Sequence, residues 1–364
     1  MANTQLTQTG AQVQADLNKI EGLPTPTVAD SGKVVGVNSS GQYVLVDAGG
    51  GDTPPTTPTD AVIFYSKYPF SLRVFDGTKQ WDGTLYYSYD HSTWDTWSGT
   101  TTLDADLSDG YHKLYLRGVG NTKISGNASS YRWTFIGEGI KCCGNLNNLL
   151  DYTTTPTLAD FAFNYLFYGC SNVGFDVTLP ATTLANYCYT SMFSDCISLT
   201  TAPNLPATTL VNSCYYSMFS GCTSLTKAPS LPATILANSC YYSMFANCKS
   251  LKTAPELPAT TLSDNCYNRM FYSCNALTTP AKMAGGTTQA TSAKQCCQSM
   301  YDGCTSLNIY TSASGHTAFY KSLTYSTTKS ETNYRSSYMM FYNCYIDGTK
   351  STAQHLTAGT QYYY

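Results

Sequence analysis

The sequence predicts a multidomain chain: an N-terminal helix and β-hairpin, a small β-sandwich, and then an α/β solenoid of about seven 26-residue units. Three observations predict it. "LPATTLANYCYTSMFSDCISLTTAPN" begins at Leu179, returns almost unchanged at Leu205 and Leu231, and comes back more loosely at Leu257. Between residues 61 and 119, four β-rich runs are separated by turn-forming clusters. Ahead of both, "AGGGDTPPTTPTD" has the Gly/Pro/Thr composition of a linker. The organisation is therefore 1–50 for an anchoring and oligomerisation segment, 51–60 for the linker, 61–137 for the sandwich and 138–364 for the repeats. A chain of 364 residues exceeds what one compact core usually holds, which agrees with several modules.

In chain order, Leu6, Val13, Leu17 and Ile20 follow three-and-four spacing through "LTQTGAQVQADLNKI", the pattern of a short amphipathic helix interrupted by Gly10. Such a helix is too short to be stable alone. It makes sense when several copies bundle, so these four residues are the expected oligomerisation and anchoring contacts. Two β-rich runs follow, at 33–37 and 42–46, joined by the hairpin chemistry of "NSSG".

The sandwich is read from "AVIFYS", "SLRVF", "TLYYSY" and "HKLYLRGV", with "DGTKQWDG" and "SDG" as turns. "SYDHSTWDTW" approximates an Asp-box hairpin without its glycine, a structural motif. Trp94 and Trp97 are candidate glycan contacts, the alternative being turn or core packing. Asp104, Asp106 and Asp109 in "DADLSDG" lack the spacing of a calcium loop and read as a solvated turn.

Aligning the repeats on C-Y-x-x-M-F-x-x-C gives a first column at Ala162, Cys188, Cys214, Cys240, Cys266, Cys296 and Ser336. A second column stands eight residues later, at Cys170, Cys196, Cys222, Cys248, Cys274, Cys304 and Cys344. A period of 20 to 29 residues belongs to leucine-rich-repeat-like stacks, in which each unit buries its apolar edge against its neighbours. Leu184, Cys188, Met192 and Cys196 are spaced by four, with Tyr189 and Phe193 beside them, and predict one face of a helix. Pro180 suits its first turn, and Thr182 or Thr183 can cap it. "CISLTTAP" predicts a short strand stopped by proline. The cysteine columns are expected to be free, buried packing elements about 4.8 Å apart. Tyr216 and Tyr242 sit one position past the buried stripe and are candidate contacts for sugar or protein, or half-buried packing. The insertion at 311–335 reads either as a binding loop or as a decorated cap.

The register of "MFSDCISL", "MFSGCTSL", "MFANCKSL" and "MFYSCNAL", each followed by proline, resembles the BspA-like leucine-rich-repeat family over roughly residues 138–364. That resemblance implies a binding role of the kind surface adhesins have. It departs from the family in its longer unit, in Met-Phe for Ala-Phe, and in extra residues before Cys296 and Ser336. A second resemblance lies in "TQTGAQVQADLNKIEGLPTPT" with "DSGKVVGVNSSGQYVLV", which is similar to the anchoring segment of bacteriophage head-fibre and tail-fibre proteins. It implies a homotrimer docked on a capsid or tail protein through residues 1–50.

Composition narrows the function. Asp, Glu, Lys and Arg make up only 12% of residues and the formal net charge is −3, so no basic stripe is available to a phosphate backbone and no nucleic-acid partner is expected. No stretch approaches the ~20 apolar residues of a membrane span, and the N-terminus lacks the pattern of a secretory signal. Fifteen cysteines without a CxxC pair argue against zinc, and no cofactor or metal is expected. The acids in the repeats, Asp195, Glu256 and Asp264, occupy unrelated positions and build no facing carboxylate pair. His91, His112, His316 and His355 stand near no nucleophile motif, so no catalytic residue is expected. The expectation is a non-enzymatic phage virion fibre, on the capsid in preference to the tail, made in the host cytoplasm and displayed on the virion surface toward a host glycan or protein. The alternative is a secreted or surface-displayed bacterial leucine-rich-repeat adhesin.

Overall fold

The computed structural model describes residues 33–37, 43–47, 54–284, 293–316, 318–321, 339–352 and 361–364. Strands β1 (Lys33–Val37) and β2 (Tyr43–Asp47) pair antiparallel, with Lys33 opposite Asp47 and Val37 opposite Tyr43. The second strand starts one residue later than the sequence predicts. Leu6, Val13, Leu17 and Ile20 lie outside the described residues.

The predicted fold class is overturned in its leucine-rich-repeat-like α/β solenoid, while the predicted N-terminal helix lies outside the described residues. Among the described residues there is no α-helix, only two 3₁₀ turns at Ser129–Tyr131 and Leu146–Leu149. Strands, tight turns and irregular chain make up the rest of the described residues.

After the linker come β3 (Val62–Ser66), β4 (Ser71–Val74), β5 (Thr84–Ser88), β6 (Asp95–Thr96), β7 (Leu103–Asp104), β8 (Asp106–Ser108), β9 (Tyr111–Val119), β10 (Trp133–Ile136), β11 (Ile140–Asn145) and β12 (Val173–Thr178). One sheet has the order β12-β11-β3-β9-β5-β6, with β8 on β9; a smaller one has the order β10-β4-β7. The four runs read from sequence as strands are β3, β4, β5 and β9. In β4 and β10 the alternation is clean: Leu72, Val74, Trp133 and Phe135 point inward, while Arg73 and Ile136 are exposed. The two sheets face each other through Phe64 and Phe135, 5.0 Å apart, and Trp97 and Trp133, 5.7 Å apart.

The repeats grow directly out of this body. β12 pairs parallel with β11, from Ile140 opposite Val173 to Asn145 opposite Thr178. The N–H of Trp133 donates to Leu166 O and that of Ile124 to Ala162 O. One hydrophobic cluster consequently runs from Val62 to Tyr362.

Within a unit, the stretch predicted as helix is a ribbon of tight turns. The N–H groups of Cys188, Thr190, Met192, Ser194 and Cys196 donate to carbonyls three residues back. Those of Tyr187, Tyr189, Ser191, Phe193 and Asp195 donate instead to Asn212, Cys214, Tyr216, Met218 and Ser220 of the next unit. Alternate donors thus close the turn or tie the units. Left-handed residues recur every fourth position, at Tyr187, Ser191 and Asp195, with φ of 58°, 50° and 60°. That recurrence, not a helix, is the source of the four-residue spacing. In an α-helix a strict step of four drifts by about 40° each time, so Leu184 and Cys196 would not share a face. The third left-handed column holds Asp195, Gly221, Asn247, Ser273 and Gly303, mostly residue types that tolerate this conformation.

Stacking the ribbons builds aromatic columns. Phe167, Phe193, Phe219, Phe245, Phe271, Tyr301 and Phe341 succeed one another at 5.5 to 5.8 Å between ring centroids. Phe163, Tyr189, Tyr215, Tyr241 and Tyr267 form a second column. On the far side of the units, parallel bridges join Thr201 to Lys227, Thr253 to Thr279 and Leu257 to Met283. The four extra residues before Cys296 do not break the register of the units, since Tyr267 N–H still donates to Cys296 O at 2.8 Å.

Candidate functional site

All fifteen cysteines are free and buried. The second column has a specific reason to be cysteine. The thiols of Cys196, Cys222, Cys248, Cys274 and Cys304 lie 3.0 to 3.1 Å from the carbonyls of Phe167, Phe193, Phe219, Phe245 and Phe271 in the preceding unit. Cys344 does the same to Tyr301 O at 2.9 Å, and Cys170 reaches Trp133 O at 3.4 Å. A small, weak S–H donor fills space that a larger side chain would overfill and gives each carbonyl a further partner. The first column, Cys188, Cys214, Cys240, Cys266 and Cys296, is fully enclosed beside the tyrosine rings. Burial pushes the thiols of Cys170, Cys214 and Cys274 up to about 12. Since the thiolate is the nucleophile, these groups are inert in the folded chain. Native protein treated with a thiol reagent near pH 8 should therefore lag the urea-unfolded chain by orders of magnitude at all fifteen sites; rapid native labelling of most of them would overturn the packing role.

The aromatic candidates separate. Trp97 is 1% exposed, packs on Trp81 and Trp133, and donates from Nε1 to Thr101 O at 2.9 Å, so it is core and out of reach of a ligand. Trp94 is half-buried with its ring already covered: the Arg117 guanidinium lies 3.8 Å over it. Arg117 also stacks on Tyr152 at 4.2 Å and donates from Nη1 to Asp60 Oδ2 at 2.8 Å. His91 Nε2 stands 2.8 Å from the other Asp60 oxygen and stacks on Tyr115. This cluster clamps the end of the linker onto the large sheet. Tyr216 and Tyr242 are parallel, 4.7 Å apart and half-buried. They cover one another's inner faces.

The acids fill structural roles. Asp90 accepts from the N–H groups of Ser92 and Thr93 and from the hydroxyls of Ser88, Ser92 and Thr93. The Thr93 N–H, then the Ser92 hydroxyl and N–H, hold its carboxyl well below the usual carboxylate range. Asp109 accepts from Lys113 Nζ at 3.0 Å, and Asp106 from the Leu107 N–H at 2.9 Å. No group of three metal-ligating side chains comes together among the described residues. His112 Nδ1 lies 3.3 Å from Ala105 O, His316 stacks on Tyr310, and His355 lies outside the described residues. No helix among the described residues is long and apolar enough to cross a membrane. Of the 311–335 insertion, residues 311–316 and 318–321 are described; Ser336 is not.

Two concave features escape sequence reading. An open groove of about 880 Å³ runs along the proline side of the units, between Lys227, Pro229 and Pro232 on one edge and Pro255, Glu256 and Pro258 on the other. Its lining mixes proline, alanine and leucine with Thr226, Lys227, Ser230, Thr253 and Glu256. A smaller cleft of about 350 Å³ lies where the β10-β4-β7 sheet meets the first unit, and its lining includes Phe75, Arg132, Thr134 and Tyr168. Its residues come from three separate segments, which is why no linear motif announces it.

Comparison with known proteins returns no matching family model, no matching curated protein and no matching solved structure.

Proposed function

We propose that this chain is a structural fibre of a bacteriophage virion, attached to the capsid in preference to the tail through residues 1–50. The chain acts as a homotrimer, and the part after the linker displays a binding surface toward host glycan or protein. The observation that carries this reading is the unbroken core from Val62 to Tyr362 behind a Gly/Pro/Thr linker. A single continuous body behind a Gly/Pro/Thr linker suits presentation of a surface at a distance from an anchor. Its surface is rich in hydroxyl and amide side chains and poor in charge, which suits binding rather than catalysis. Assembly in the reducing host cytoplasm agrees with fifteen unpaired thiols.

The solution mass, measured by light scattering coupled to size exclusion, tests the reading. The full chain is expected at three times its 39.6 kDa monomer mass, and a chain beginning at Asp60 as a monomer. A monomer in both cases would overturn the fibre and favour a bacterial surface adhesin.

A further inference from the structure

We propose that the cleft between the small sheet and the first unit is a subsite for an acidic sugar, its carboxylate held by Arg132. This rests on the binding role proposed above and names a site and a ligand class for it.

Two of the chain's five arginines, Arg73 and Arg132, belong to the outer face of the β10-β4-β7 sheet. The chain as a whole carries three more acids than bases, so this face runs against the overall charge. Arg73 stands opposite Thr134 in the register and is exposed. Arg132 immediately precedes β10. Its guanidinium is positioned rather than loose: Nη1 donates to Ser129 O at 2.8 Å, and the group lies 3.7 Å over Phe75 and 5.7 Å from Tyr168. No carboxylate lies within ion-pair distance of it among the described residues. A guanidinium has five N–H donors, and the hydrogen bond to Ser129 O uses one of them.

A second observation points to a ligand. The Thr134 hydroxyl is buried, lines the cleft and has no hydrogen-bond partner. A buried hydroxyl without a partner is uncommon, and a turn of the side chain about its Cα–Cβ bond would bring this one to the cleft wall as a donor. Tyr168 completes the polar edge. Burial, and next the Asp195 carboxylate to which it hydrogen-bonds, raise its phenol, which therefore stays protonated with its proton toward Asp195 and its oxygen left as an acceptor. Phe75, 46% exposed, supplies an apolar rim against which the C–H face of a sugar ring can pack.

The ligand class follows from these parts. A planar fork selects a planar anion, and bidentate pairing with a carboxylate is its best geometry. A bare anion would leave the exposed part of Phe75 and the Thr134 hydroxyl without partners. A neutral sugar would leave the guanidinium without a counter-ion. A sugar ring carrying a carboxylate satisfies all three.

The experiment is titration of the full-length chain with methyl glucuronide, methyl glucoside and inorganic phosphate, followed by amide and side-chain NMR shifts. Glucuronide is expected to bind about tenfold or more tightly than glucoside, with shifts centred on Thr134 and Tyr168. Arg132→Lys keeps the charge but loses the fork and should weaken glucuronide about tenfold. Thr134→Val preserves volume and should weaken it by a smaller factor, while both variants keep the parent circular dichroism. Equal binding of glucoside, phosphate matching glucuronide, or unchanged affinity in Arg132→Lys would overturn the proposal. Solution mass is measured on the same samples: loss of the trimer with glucuronide binding intact removes the fibre and leaves this site, and the reverse removes the site alone.

Discussion

Replacing Gly118 with alanine is expected to destabilise the chain by about 4 kcal/mol or more, enough to unfold the sheet from which the units grow. Gly118 lies in β9, the strand that β3 and β5 flank on either side. A Cβ there would fall inside the Leu149 carbonyl oxygen, and 2.6 Å from the carbonyl carbon. Both are backbone atoms of the 3₁₀ turn, and that turn is fixed in turn: Asn121 Nδ2 donates to Leu149 O, and the Tyr152 N–H to Gly118 O. Close-packed backbone has nowhere to move. Gly120 is the control. It has a φ of +65° with nothing within 4 Å of its would-be Cβ, so alanine there costs only about 1 kcal/mol of local strain. Urea midpoints of the two variants, read by tryptophan fluorescence, should differ widely; similar midpoints would sink the argument.

The second expectation concerns alkali. A buried thiol keeps its proton to a higher pH than the same thiol in an unfolded chain. Between 9, the ordinary value, and about 12, the value to which burial pushes Cys170, Cys214 and Cys274, the unfolded state therefore binds fewer protons. Stability is then fully present below pH 9 and falls as pH rises through this window. Each such group withdraws about 1.4 kcal/mol per pH unit, so these three together remove on the order of 4 kcal/mol per unit. The buried tyrosines of the second aromatic column, Tyr189, Tyr215, Tyr241 and Tyr267, are raised by burial too and act in the same direction at higher pH. Thermal midpoints should be level from pH 7 to 9 and drop steeply above it, and Cys214→Ala should soften the slope. A flat profile to pH 11 would mean the columns are open to water.

Much of this was legible in the residues. The strand runs of the sandwich, the hairpin at 33–47 and the turn around Asp90 follow from alternation and turn chemistry, which are local. Burial of the cysteines followed from their period alone. The helix did not survive because spacing by four was assigned to the nearest familiar period. Two signs in the sequence argued otherwise: the apolar steps are all four, never three, and Ser, Asn, Asp or Gly recur where the ribbon turns left-handed, at Ser217, Gly221, Ser243 and Asn247. The donor alternation that replaces helical hydrogen bonds needs a neighbouring unit 25 residues away and is invisible to any local window. The Arg132 cleft was hidden for a related reason. Its parts, Phe75, Thr134 and Tyr168, meet only after β10 has paired with β4 and the first unit has docked on its edge.

The alternation of donors also makes length an independent variable. A unit presents the same five carbonyls on one side that it needs answered on the other, so any unit can follow any other. Removing or duplicating 26 residues leaves both flanking contacts as they were and moves the far end by one step of about 4.8 Å. Reach can then be selected in small increments, while the tether at one end and the cap formed by Tyr362 against Phe341 at the other stay unchanged.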